Sequence, residues 1–411
     1  MKAIVCTKYG PPEVLQLREV PKPVPKRDEV CIKVFATAVT ASDIFIRGSD
    51  IPLRFRIPMR LMVGITRPRR RIIGLVLAGE VESVGRGVSR FKVGDRVYGL
   101  TGFAFGAYAE YACLKETDSK AGSLALKPAN LTYEEATAAA YGGLLALQYV
   151  EKGNIQPGQR VLVYGASGTS GTIAIQLAKH LGAEVTGVCS TPSVELVRSL
   201  GADVVMDYTT TDSPPAGVRY DFVLDVVGKS KTSLLKDACR NALAQGGTYV
   251  SIDDGNLQLD SARLVRITEL VEAGVIKPVV DRCYPLEQIA EAHRYVGAGH
   301  KRGGVAITVA HSGWAASPIG PRTPTLQLSH RPSCPSGTGS LLSPTLDKEP
   351  RSHPARGSRT AMARSGKRTA GDCTILRSIC PPFHRCRSTS GPIVQAGGEQ
   401  GPSQWRRGED A

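Results

Sequence analysis

A two-domain α/β protein is the architecture this sequence predicts: a small β-barrel, then a doubly wound parallel sheet, then a disordered basic tail. Three observations carry that reading. Residues 1–127 hold many short, Gly- and Pro-punctuated strand patterns and almost no helix. Beyond them, short apolar runs alternate with helical patterns over short connections. At the first such unit the run RVLVYGASGTSG, residues 160–171, sets close-spaced glycines between a Val-rich strand and a helix. That arrangement turns free backbone N–H groups toward a pyrophosphate at a helix N-terminus.

The chain's 411 residues suffice for two domains with real cores. No apolar run is long enough to span a bilayer. The opening MKAIVCTKYG is too short in its apolar part for a signal peptide. The ten cysteines lack paired spacing, so reduced thiols and a cytoplasmic location are expected. The net charge of +15 suggests nucleic acid or membrane at first sight. It is concentrated in the tail, which holds roughly half the excess, and in the arginines of residues 54–71, so no nucleic-acid or membrane partner is expected of the folded body.

Strands are expected at 3–6, 15–20 and 29–38, a helical turn at 42–48 and an irregular basic loop at 51–71. A bent strand or strand pair follows at 72–84, with further strands at 91–98 and 106–114. The pattern changes after Lys127-Pro128. Residues 132–150 form an Ala- and Leu-rich helix with Thr132 as N-cap and Glu135 three residues on. Strands at 160–164, 184–189, 203–208, 220–227 and 248–252 then alternate with helices at 171–181, 193–200, 232–244 and 261–273. Strands at 277–280 and 305–309 flank a helix at 286–296 opened by Pro285, where the chain returns to complete the first domain. The expected division is 1–127, 128–273, the return segment 274–311, and 312–411. That last stretch, rich in Ser, Pro, Gly and Arg, cannot bury enough surface to offset chain entropy.

The turn fits a dinucleotide fingerprint with Ala166 at its first glycine position, followed by Ser167, Gly168, Thr169, Ser170 and Gly171. Gly168 lets a pyrophosphate approach the backbone and Gly171 lets the helix pack on the strand. The next strand ends in Cys189, Ser190 and Thr191, with nothing acidic to chelate a ribose diol. NADP(H) is therefore favoured, with NAD(H) still open. Val227, Gly228, Ser251 and Ile252 fall at carboxyl ends of strands, where cofactors bind in open α/β sheets. Residues 139–143, AAYGG, read as close helix packing or a cofactor approach. His180, His293 and His300 have ordinary structural readings. Cys373, Cys380, His384 and Cys386 have zinc-type donors but irregular spacing.

The segments 36–43 (ATAVTASD), 74–85 (GLVLAGEVESVG), 91–99 (FKVGDRVYG), 165–171, 199–208 (SLGADVVMDY) and 284–296 (YPLEQIAEAHRYV) together resemble the medium-chain dehydrogenase/reductase superfamily, in its quinone oxidoreductase-like branch. The resemblance implies a GroES-like N-terminal barrel, a Rossmann domain and an active-site cleft between them. It places Thr40 where many relatives have an Asn beside the nicotinamide, matches Asp43 to the family's Asp, puts Phe45 in the acceptor pocket and Tyr208 near the adenosine phosphate. It also suggests a homodimer, although the short 252–261 connection departs from the usual pairing strand.

Zinc enzymes of that superfamily carry Cys-x-x-Asp-x-His and Gly-His-Glu motifs. Here the equivalent positions are residues 40–45, TASDIF, and 74–76, GLV, so no zinc is expected. Without a Lewis acid, the natural chemistry is hydride transfer from a reduced nicotinamide to a quinone or an α,β-unsaturated carbonyl. An NAD(P)-dependent alcohol dehydrogenase and a nucleotide-responsive crystallin-like or RNA-binding protein are the alternatives.

Overall fold

The computed structural model describes residues 1–48, 57, 60–229 and 231–311. The expected disordered tail, the tail cysteines, and Arg54 and Arg56 of the basic loop lie outside them.

The chain opens with an antiparallel hairpin, β1 (Lys2–Cys6) and β2 (Leu15–Glu19). The barrel sheet follows: β3 (Glu29–Ala38), β4 (Val76–Val84), β5 (Arg96–Leu100), β6 (Tyr111–Lys115) and β7 (Ser123–Leu126). Helix α1 (Ala41–Arg47) leaves the end of β3. In β3, Val30, Ile32 and Val34 face one cluster with Ile4, Leu77, Val97, Leu114 and Leu124, the period-2 alternation of a strand buried on that face.

The sheet is completed from the far end of the chain. β13 (Val280–Pro285), α7 (Ile289–Gly297) and β14 (Gly304–Thr308) return to it, β14 pairing antiparallel with β3 and parallel with β13. The order is β13-β14-β3-β4-β5-β7, with β6 on β3.

Between the two sheets lies α2 (Tyr133–Glu151), capped by Thr132 and Glu135 in a reciprocal capping box. Its small residues are there for packing. A Cβ on Gly142 would lie 2.6 Å from the Thr169 carbonyl oxygen, and one on Gly143 2.9 Å from Ile267. Ala138 leaves room for β14, since a Cβ on Gly304 would come within 2.9 Å of it.

The second sheet is all parallel, β10-β9-β8-β11-β12. Its strands are β8 (Arg160–Tyr164), β9 (Glu184–Cys189), β10 (Val204–Asp207), β11 (Tyr220–Asp225) and β12 (Leu243–Ser251). The connecting helices are α3 (Thr169–His180), α4 (Val194–Ser199) and α5 (Leu234–Asn241), and α6 (Ser261–Glu272) follows β12. The order reverses at β8, which places the topological switch at the glycine-rich turn.

Several expected boundaries move. The bent strand at 72–84 shortens to Val76–Val84, with Ile72 bridging only Val5. The strand expected at 91–98 forms at Arg96–Leu100, because 92–95 turn through Gly94 at φ +90°. The helix expected at 232–244 stops at Asn241, and β12 begins two residues later. The strand expected at 277–280 is Val280–Pro285, so Pro285 caps a short 3-10 turn instead of opening the helix. β7 was not anticipated. The basic loop is not wholly irregular: Arg60–Val63 is helical, and Val63 is buried against Phe105.

Candidate active site

The glycine-rich turn is built by close approach. Gly165 stands at φ +88° with Val226 and Val227 packed on it, and a Cβ on Gly171 would lie 2.2 Å from the Gly165 oxygen. Only glycine fits at either position. Gly168 is different: a Cβ there would meet the Gly165 oxygen at 3.4 Å and nothing nearer. The surface above it is open. The first intrahelical bond of α3 runs from Thr172 N to Gly168 O. The N–H groups of Thr169, Ser170 and Gly171 therefore stand at the helix mouth, where the dipole is positive. Ala166 is buried beneath the turn.

The return segment closes over this turn. Gly303 N donates to Ser167 O at 2.8 Å, and Gly168 and Gly303 form an isolated parallel bridge. Lys301 Nζ donates to Thr169 Oγ1 at 2.6 Å and to Gly303 O at 2.9 Å. Burial pushes its ammonium down to about 8, against the attraction of Asp281. A cation placed at the positive end of a helix is unfavourable by itself and favourable once an anion arrives.

At the far end of the turn, Ser190 precedes a 3-10 turn over Thr191–Ser193, and Thr191 Oγ1 bonds Thr209 Oγ1 at 2.8 Å. Tyr208 is exposed and donates its N–H to Cys189 O at 3.0 Å. Asp207 also ends here, opposite Cys189. Hydrogen bonds from Thr191 and Thr209 hold its carboxyl below the usual range. Arg302 reaches across from the return segment, Nη1 donating to Pro192 O at 3.1 Å, while Tyr295 and the Arg302 N–H share Asp281 Oδ2.

The ends of β11 and β12 are tied together by Asp225. Its Oδ1 accepts from Val227 N at 3.0 Å and Gly228 N at 3.1 Å, and its Oδ2 pairs with Lys236 at 2.8 Å and accepts from Tyr249 at 2.9 Å. Ser251 is buried on the same carboxylate at 3.4 Å, and Ile252 N donates to Asp225 O. Both Asp225 and Lys236 are buried, so removing either would leave an uncompensated charge, a loss of about 3–5 kcal/mol.

A third cluster forms where α1 meets α2. Thr40 is the N-cap of α1, and Asp43 completes the capping box. Asp43 Oδ2 accepts from Thr40 N at 2.9 Å and Thr40 Oγ1 at 2.6 Å. Its Oδ1 makes no bond of normal length, and the Tyr108 phenol and the Leu75 amide lie close enough to act on the carboxyl. Complete burial lifts the carboxyl to about 6, against the Thr40 and Tyr108 contacts that hold it down. Behind it, Tyr108 meets His293 Nε2 at 3.2 Å and Arg47 Nε donates to His293 Nδ1 at 3.2 Å. His293 is fully buried, and burial followed by the Arg47 charge pushes it down to about 3. In front, Ser42 Oγ and Tyr141 Oη lie 2.9 Å apart. Phe45 projects from α1, 41 % exposed.

The Asp43 cluster and the glycine turn are neighbours through α2: Tyr141 bonds Ser42, and the next residue, Gly142, packs on Thr169 of the turn. Zinc would need soft or imidazole donors here. The cleft end of α1 instead offers the hydroxyls of Thr40 and Ser42 and the phenyl ring of Phe45, and His293 has both ring nitrogens in use. That donor set does not fit the metal.

Models of the alcohol dehydrogenase GroES-like domain and of the zinc-binding dehydrogenase match residues 26–121 and 171–276, and a second zinc-binding dehydrogenase model matches 256–307. The chain is 32% identical over 332 residues to the NADPH-dependent alkenal/one oxidoreductase of Arabidopsis thaliana, covering 75% of this chain and 79% of that one. It belongs to the medium-chain dehydrogenase/reductase superfamily. Within that superfamily it sits in the quinone oxidoreductase branch. It is 31% identical over 327 residues to the 2-methylene-furan-3-one reductase of Solanum lycopersicum, again 75% of this chain and 79% of the relative. The quinone oxidoreductase of Coxiella burnetii superposes with a TM-score of 0.66 at 26% identity, over 75% of this chain and 99% of that one. The GroES-like barrel and Rossmann sheet of this dehydrogenase/reductase are thus those the sequence predicts, and the chain is an oxidoreductase.

Sequence reasoning missed Lys301, Arg302, Tyr141 and the buried partners of Asp43. The run KRGG before a strand was the available signal for the first two, its glycines demanded by Val279 and Ala138 on either side. Tyr141 gave no signal within an Ala- and Gly-rich helix.

Proposed function

We propose that this protein transfers hydride from NADPH to a quinone or to an α,β-unsaturated aldehyde or ketone, without a metal. What carries the reading is the pair of adjacent α2 residues, Tyr141 and Gly142, that brings a hydroxyl-lined cluster beside an anion-ready glycine turn. The names of the relatives, an alkenal/one oxidoreductase and a furanone reductase among them, support the same class.

Bound NADPH would supply the hydride. The N–H groups of Thr169, Ser170 and Gly171 and the Lys301 ammonium would hold its pyrophosphate over Gly168. Ser190, Thr191, Tyr208 and the Arg302 guanidinium would take the 2′-phosphate. Arg302 supplies the positive charge that the strand end lacks, and Asp207, already occupied by Thr191 and Thr209, has little left to offer a ribose diol. Val227, Gly228, Ser251 and Ile252 would line the ridge along which the dinucleotide lies.

At the other end, Thr40 would fix the nicotinamide by accepting from its amide, and Tyr141 would donate the hydrogen bond to the oxygen on which charge develops as the hydride arrives. Asp43 fixes the Thr40 hydroxyl by accepting its proton in a 2.6 Å bond. Phe45 would contact the apolar part of the acceptor. The proton that completes the saturated product enters from water.

The test is turnover of a panel of quinones, enals and enones with NADPH and with NADH, alongside primary alcohols with NADP⁺. Reduction of an activated acceptor with NADPH preferred supports the reading. Alcohol oxidation alone, or tight NADPH binding with no turnover of any acceptor, would overturn it.

A further inference from the structure

The barrel carries a pair of thiols that hydride transfer does not use. In the antiparallel ladder of β3 and β6, Cys31 lies directly opposite Cys113. The bonds Val34 N to Glu110 O at 2.9 Å and Glu116 N to Asp28 O at 3.1 Å fix which residue pairs of this ladder exchange backbone hydrogen bonds. By alternation, Cys31 and Cys113 form a non-hydrogen-bonded pair, the kind whose Cα atoms approach to about 4.5 Å. A disulfide spans Cα separations of about 4.4–6.8 Å, so the strands already hold these sulfurs within bridging reach.

The thiols are in mutual contact. Their interaction with each other lowers the Cys31 thiol and raises that of Cys113. Lys22, ion-paired with Glu82 and seated 4.0 Å from the Tyr111 ring centre, adds positive charge beside Cys31, which Glu82 opposes. Ser83 also hydrogen-bonds Cys31, and the Glu29 carboxylate acts on Cys113. Cys31 lies under the Pro23 carbonyl at 3.8 Å, whereas Cys113 is partly exposed. The other described thiols differ. Burial pushes Cys6 and Cys189 up to about 11 and Cys239 up to about 12, and exposed Cys283 lies opposite Ala306.

We propose that Cys31 and Cys113 are a redox-sensitive dithiol that hydrogen peroxide converts to a cross-strand disulfide and thiol reductants restore. The Cys31 thiolate attacks one peroxide oxygen, the O–O bond breaks and hydroxide leaves, giving a sulfenic acid. The Cys113 sulfur then attacks the Cys31 sulfur, the S–O bond breaks, and water leaves with the Cys113 proton. Two thiols and one peroxide become one disulfide and two waters. The bridge staples β3 to β6 and constrains the unfolded chain between them.

The experiment treats the full-length protein with one equivalent of peroxide and maps thiols by alkylation and non-reducing digestion with mass spectrometry. The expected product is a peptide pair joined through Cys31 and Cys113, lighter by two hydrogens and separated again by dithiothreitol. The oxidised protein should also melt at a higher temperature than the reduced one. Cys31→Ser and Cys113→Ser should each abolish the linked pair and keep the reduced wild-type NADPH turnover. Two further outcomes would overturn the proposal. One is that both thiols of the wild type remain alkylatable after peroxide is consumed. The other is that Cys113 is recovered joined to Cys283 or to a tail cysteine.

Discussion

Lys301→Met separates what the return segment does for the cofactor from what it does for the fold. In the free protein, burial pushes the ammonium down to about 8 while it donates to Thr169 Oγ1 and Gly303 O. A phosphate beside it restores an ordinary ammonium, so binding takes up a proton once the pH exceeds that value. NADPH affinity should then fall about tenfold per pH unit above pH ~8. The variant lacks one charge-assisted hydrogen bond worth about 1.5–3 kcal/mol, and its Kd at neutral pH should rise about 10- to 150-fold. Its affinity should show no slope in that window. Fold stability moves the other way. The unfolded lysine titrates at 10.5 and the folded one at about 8. Folding therefore releases a proton between those values, and the associated stability is present above the higher one and lost as pH falls through the lower. At neutral pH the buried ammonium costs on the order of 3 kcal/mol. Methionine removes that cost and forfeits two charge-assisted hydrogen bonds of about 1.5–3 kcal/mol each, so stability at neutral pH should lie between unchanged and about 3 kcal/mol lower. NADPH fluorescence titrations at about pH 7 and pH 9.5, with melting curves of both proteins, measure the two effects. Parallel pH profiles for the two proteins, or an unchanged Kd, would refute the reasoning.

Gly168→Asp should abolish NADPH binding and leave the melting temperature near wild type, because a Cβ there meets only the Gly165 oxygen at 3.4 Å. Gly171→Ala should do the reverse, destabilising by about 1–3 kcal/mol or more through its 2.2 Å clash, read by denaturant unfolding. Arg302→Ala should weaken NADPH roughly tenfold by isothermal titration and leave NADH unchanged. Asp43 and His293 make opposing contributions to acid stability. Asp43, raised from 3.8 to about 6, has stability that is full below the lower value and is lost as pH rises through the upper. His293, lowered from 6.5 to about 3, gains stability over a similar range. Asp43→Asn should therefore make stability climb more steeply from about pH 4 to pH 6.

The glycine turn was legible because its geometry is local. Strand, tight turn and helix lie within a dozen consecutive residues, and the clashes that exclude a side chain at Gly165 and Gly171 come mainly from near neighbours and one adjoining strand. The parallel sheet was legible for a related reason, since buried strands such as Arg160–Tyr164 and Tyr220–Asp225 carry a short unbroken apolar stretch, VLV and FVL, at their centres. What escaped is set by distance along the chain. Thr169 and Lys301 are far apart in sequence, and no local pattern says that one will bond the other. His293 reads as an ordinary helix residue because its partners, Arg47 and Tyr108, come from a distant part of the chain. β7 is too short, at four residues, to show a period. Helix α2 had two open readings for its small residues. The structure assigns Gly142 and Gly143 to packing, and Tyr141, just before them, turns toward the cluster.

One consequence concerns exchange of parts between relatives. The cations nearest the glycine turn and the Ser190–Thr191 strand end are carried by the segment that leads into β14, a strand of the barrel sheet. A graft of residues 128–273 onto another barrel would transplant the turn and leave Lys301 and Arg302 behind. On the proposed roles of Lys301 and Arg302, coenzyme preference in this chain is not modular. It would be written partly in the segment that leads into a strand of the other sheet, and a chimera would inherit it only when both pieces travel together.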